Sequence, residues 1–106
     1  MDKLPDLERL TNFVHQEVQH DSLVRQSIEE GFMTEQELLV GRYVSAYCDL
    51  HSPEEIGSDY DAWEKVWQSN LPEAYKITAR QFDVTLQRAE ELFNKSLNIR
   101  ARNIKH

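Results

Sequence analysis

The chain has 106 residues, 40% of them hydrophobic, with 19 acidic and 12 basic side chains and a net charge of −7. That length suits one domain, and Leu, Ile, Val and Phe make up 27 residues, enough to exclude a chain too polar to collapse. Three glycines and three prolines are too few for the turns of a sandwich or barrel, no apolar run approaches the roughly 18 residues of a membrane span, and the single cysteine, Cys48, excludes an internal disulfide. The expectation is an all-α fold, a small helical bundle of about five helices. Met1 to Pro5 lacks the apolar run of a signal peptide, which points to a cytoplasmic protein.

The first helix is expected from Pro5, a residue suited to a helix start, to about His20, with Leu4, Leu7, Leu10, Phe13 or Val14, and Val18 recurring every three or four positions. Asp21 or Ser22 then caps a short helix carrying Leu23, Val24 and Ile28, which stops at Gly31 with Phe32 covering the turn. The third helix has the clearest start: Thr34 and Glu37 have the spacing of a capping box, and Met33 can staple onto Leu38. Its apolar positions Leu39, Val40, Tyr43, Val44, Ala46, Tyr47 and Leu50 span so wide an arc that it should be the central helix. Gly41 in its interior costs about 1 kcal/mol relative to alanine, which suggests a close approach by another helix.

Ser52-Pro53-Glu54-Glu55 has the pattern of a second capping box, but Gly57 interrupts it, predicting one turn and a bend. A helix restarts at Ser58 or Asp59 with Tyr60, Trp63 and Trp67 on one stripe, and ends before Pro72. Beyond Pro72 there is no further glycine or proline, and Tyr75, Ala79, Phe82, Leu86, Ala89 and Phe93 alternate spacings of four and three. That heptad stripe predicts one long C-terminal helix over 72–98, about 37 Å in length, whose far end projects. The expected organisation is therefore an acidic body over 1–71, the long helix over 72–98 and a basic tail over 99–106.

Charge divides along the chain. Residues 1–75 hold 16 acids and 5 bases, net −11, whereas residues 76–106 hold 3 acids and 7 bases, net +4. An acidic body repels phosphate backbones and argues against ordinary duplex binding. Six acids and no base lie between Asp49 and Glu64, but no register supplies the ligand spacing of an EF-hand. The metal-like spacings, Glu17-x-x-His20 and Cys48-x-x-His51, are each half a site, and His15 and His20 diverge by about 140° on a helix. Cys48 beside His51 lacks an orienting acid, so a buried thiol is the better reading. No phosphate loop, nucleophile elbow or nucleotide fingerprint is present.

No catalytic residue, cofactor or metal is therefore expected. The leading expectation is a non-enzymatic protein-protein interaction protein, such as a small acidic regulator, inhibitor, immunity-type or accessory subunit, docking a basic partner surface. Glu54, Glu55, Asp59 and Asp61 would steer the partner and Tyr60, Trp63 and Trp67 would anchor it. Phe82, Leu86 and Phe93 on the heptad stripe are the expected contact for a homodimer. Two alternatives stand beside it: a nucleic-acid contact through Lys95, Arg100, Arg102 and Lys105, and a small metal-binding or enzymatic helical protein.

Overall fold

Why the chain turns where it does is read most directly from its helix ends. The structure, a computed structural model, describes the backbone of residues 3–52 and 60–104. The described residues form an all-α bundle of six helices with no strand: α1 (Lys3–His20), α2 (Ser22–Glu29), α3 (Glu35–Leu50), α4 (Tyr60–Ser69), α5 (Leu71–Phe82) and α6 (Leu86–Ile104). Asp21 caps α2 by accepting from the backbone N–H groups of Leu23 at 2.9 Å and Val24 at 3.1 Å. Gly31, at φ +79°, reverses the chain after α2, and the Phe32 N–H closes the turn on the Ser27 carbonyl. The capping box of α3 is complete: Thr34 Oγ1 accepts from the Glu37 N–H at 3.1 Å while Glu37 Oε1 accepts from the Thr34 N–H at 2.9 Å. The latter bond, more than any other interaction, holds the Glu37 carboxyl below its ordinary pKa.

The last third of the chain departs from the single long helix that the heptad stripe predicts. Asp83 adopts the left-handed conformation, φ 56° and ψ 49°, and ends α5, with the Val84 N–H returning to the Ala79 carbonyl. Thr85 then caps α6 by accepting from the Arg88 N–H at 3.0 Å. The spacing of four from Phe82 to Leu86 carried the apolar pattern across this corner, but the two residues lie on different helices. Aspartate tolerates the left-handed region better than most residues, and the β-branched Val84 and Thr85 weigh little in favour of helix there. At the other end, α6 continues through Arg100 and Arg102, and Ser96 and Ile99 are buried. The stretch expected as a tail over 99–106 thus begins within α6, with Ile99 buried.

α3 is the centre of the bundle. Ten of its residues are buried, and it packs most extensively on α6, then on α1 and α5. Gly41 accounts for the closeness of the α6 contact: a Cβ placed there would lie 2.6 Å from the Leu92 carbonyl oxygen and 2.9 Å from Ser96 Cβ. Tyr43, fully buried, meets Phe82 edge to face at 5.2 Å between centroids, so α5 is locked to the same helix. α1 is joined to α3 by a bidentate pair in which Arg42 Nε and a terminal nitrogen each donate at 2.9 Å to the Glu17 carboxylate. Burial alone would lower the Arg42 pKa, but that carboxylate raises it instead.

Candidate functional site

The C-terminus of α3 packs against α1 on one side and α4 on the other. The α3 helix ends in a nested set of bonds: the His51 N–H returns to the Tyr47 carbonyl at 3.1 Å and Ser52 Oγ donates to the Cys48 carbonyl at 2.6 Å. The His51 ring lies over Tyr47, centroids 4.3 Å apart. Asn70 ties the corner between α4 and α5 to this end, its Nδ2 donating to the carbonyls of His51 at 3.3 Å and Val66 at 3.1 Å.

α4 packs more lightly on the described body than any other helix, against α3 and α5. Trp67 is its anchor. The indole Nε1 donates to Asp49 Oδ1 at 2.7 Å, and the ring packs on Phe93 with centroids 6.0 Å apart. Trp67 and Trp63 are both half-buried, and Asp61 and Asp49 are exposed. The acidic positions Glu54, Glu55 and Asp59 expected beside them lie outside the described residues, as does the side chain of Tyr60, whose backbone begins α4. The expected bend over 53–57 also lies outside them. The structure thus brings Asp61, Trp63 and Trp67 onto one helix and adds Asp49, which sequence reading grouped with the acids but did not pair with an indole.

The positions expected for self-association are divided by the corner at Asp83. Phe93 is buried between Trp67 and Tyr75, and Phe82 is half-buried against Tyr43. Leu86 alone of the three is exposed. Of the stripe, Ala89 and Phe93 are buried, and Tyr75, Ala79 and Phe82 are half-buried. Of the bases expected to reach nucleic acid, Lys95 places its ammonium 5.3 Å from the centre of the Phe32 ring, and the side chains of Arg100, Arg102 and Lys105 lie outside the described residues.

The thiol of Cys48 is fully buried, and burial, helped by the neighbouring Asp49 charge, pushes its pKa up to about 12. It therefore stays protonated at neutral pH and packs as a small apolar group. His15, His20 and His51 are exposed. Among the described residues, no three of His, Cys, Asp and Glu gather closely enough to hold a metal ion, and no helix is long and apolar enough to cross a membrane.

A second feature lies on the other side of Asp49. The antiparallel helices α1 and α3 leave between them an apolar groove of about 250 Å3, with Arg9, Leu10 and Phe13 on one wall and Ala46, Asp49 and Leu50 on the other. Phe13 is 56% and Leu50 44% exposed at its mouth. Periodicity could place Phe13 only loosely, because it shares a helical turn with Val14, and Val14 takes the core position. The chain matches no protein-family model, and neither curated proteins nor solved structures give a match.

Proposed function

We propose that the protein is a non-enzymatic interaction protein, a small acidic regulator, inhibitor, immunity-type or accessory subunit, that docks a basic partner surface through the α4 face. The observation that carries this reading is the state of α4: a lightly packed helix with two half-buried tryptophans beside the exposed carboxylates of Asp49 and Asp61. Aromatic anchors beside exposed carboxylates are the chemistry of hot spots and of steered encounter, although α4 also carries the exposed base Lys65. Glu54, Glu55 and Asp59 extend the same charge along the sequence, with no base between Asp49 and Glu64. Cytoplasmic location belongs to the same reading.

The test is affinity capture from native lysate at low and at high salt, comparing the wild type with a variant carrying Glu54→Lys, Glu55→Lys, Asp59→Lys and Asp61→Lys, and with Trp63→Ala. A salt-sensitive partner lost on charge reversal and weakened by Trp63→Ala is the expected result. A partner captured equally by all three proteins at low salt would rule the α4 face out.

A further inference from the structure

We propose that α4 is a hinged strap, a unit that swings off the body at Asn70 while the rest of the bundle stays closed, with the bond from Trp67 to Asp49 as its latch. The claim concerns the chain by itself, so it stands or fails separately from the docking of a partner on α4.

Burial sets α4 apart from the other helices. None of its described side chains, Asp61 to Ser69, is fully buried, whereas each of the other five helices has at least two that are. Segments with few buried apolar contacts are the ones that open locally, well below the free energy of global unfolding. The helix is also short. Its ten residues are too few to persist as a helix alone in water, so the amides of α4 lose protection once it leaves the body.

The hinge lies at its C-terminal end. Ala74 and Thr78 of α5 are fully buried and Leu71 packs on the core, so α5 is fixed and movement must occur before residue 71. Pro72, near the start of α5, lacks the N–H that would return to the Gln68 carbonyl, and no continuous helical ladder therefore couples α4 rigidly to α5. Asn70 stands between the two, held to the body by its 3.3 Å bond to the His51 carbonyl.

The latch is the shorter bond. Trp67 Nε1 donates at 2.7 Å to the Asp49 carboxylate, a charge-assisted contact, and Asp49 is exposed, so water can take the place of the indole. Opening uncovers the ring of Phe93, which is 3% exposed with Trp67 packed on it. A ligand that prefers this uncovered form shifts the population toward it in proportion to that preference.

Native-state hydrogen exchange on the full chain, resolved by residue, tests the proposal. Amides of α4 are expected to exchange at least about tenfold faster than the buried amides of α3 and α6. Asp49→Ala should speed α4 exchange about tenfold further and leave α6 unchanged, because it removes a bond to a charged acceptor. Trp67→Phe removes the donor but keeps a ring on Phe93, and the double variant should exchange no faster than Trp67→Phe alone. Exchange of α4 in step with α3 and α6 overturns the strap, since α4 would then open only with global unfolding. No effect of Asp49→Ala on α4, or full additivity of the two substitutions, overturns the latch and with it the proposal.

Discussion

Replacing Gly41 with alanine sets two physical effects of opposite sign against each other. By helix propensity alone the change should stabilise the protein by about 1 kcal/mol. The new methyl, however, lies 2.6 Å from the Leu92 carbonyl oxygen, and must gain about 0.8 Å to reach the 3.4 Å at which ordinary contact begins. The obstructing atom belongs to the backbone of α6 and has no rotamer to escape into. Either α6 moves away from α3 or one helix bends, and this is the most extensive helix pair in the fold. Overpacking of a core costs typically 1 to 3 kcal/mol, and a backbone obstruction puts this case at or above the upper end. Subtracting the propensity gain leaves a net loss of about 2 kcal/mol, or a fall in melting temperature of about 8 to 16 °C at 4 to 8 °C per kcal/mol. Thermal melts followed by circular dichroism measure it directly. Adding Ser96→Gly relieves the 2.9 Å approach to Ser96 Cβ but not the carbonyl, so the double variant should recover only part of the coupling. A Gly41→Ala protein as stable as the wild type, or more so, would refute the close packing of α3 on α6.

Four further outcomes are expected. Asp83→Gly should raise stability by about 0.5 to 1 kcal/mol, because glycine enters the left-handed region without penalty; a lower urea midpoint would contradict the corner between α5 and α6. Thr78 is fully buried and its Oγ1 has no hydrogen-bond partner among the described residues, so Thr78→Val should stabilise by about 1 kcal/mol in urea titration, and a loss would mean that the hydroxyl is satisfied. Arg42→Met strands the Glu17 carboxylate and should cost about 2 kcal/mol, while pairing it with Glu17→Met should cost less; equal losses would show that the ion pair is not what holds α1 to α3. At alkaline pH the Cys48 thiol ionises near its ordinary 9.0 in the unfolded chain but only near 12 in the folded one, so stability is full below about pH 9 and falls as pH rises toward 12. Burial raises the pKa values of Tyr43, Tyr47 and Tyr75 in the same sense, and Cys48→Ala should flatten the decline between pH 9 and 10 by up to about 1 kcal/mol in chemical unfolding.

The sequence was most legible where a local rule and the global fold agreed. Thr34 and Glu37 mark a helix start by side-chain chemistry confined to four residues, and α3 begins there. The breadth of its apolar arc foretold its central position, and Gly41, an expense by propensity, foretold the close approach of another helix, which the structure gives as α6. The corner at Asp83 was hidden because its signal was weak and the competing one strong. A left-handed aspartate followed by a threonine cap has no glycine or proline to announce it, while the four-residue step from Phe82 to Leu86 imitates an unbroken helix. Leu86 turns out half exposed, at 51%, and Val84 packs on the core instead.

The candidate surfaces were less legible because they depend on which of two adjacent apolar residues wins the core. In α1 the turn at Phe13 and Val14 offers both, and the smaller, β-branched Val14 is fully covered while the larger ring is left at the surface. Asp49 shows the same limit. In the sequence it is one acid among six between positions 49 and 64, but in the fold it accepts from Trp67 on one side and lines the α1–α3 groove on the other. Its place follows from which helices pack on α3, α1 on one side and α4 on the other, and no local pattern around residue 49 encodes that.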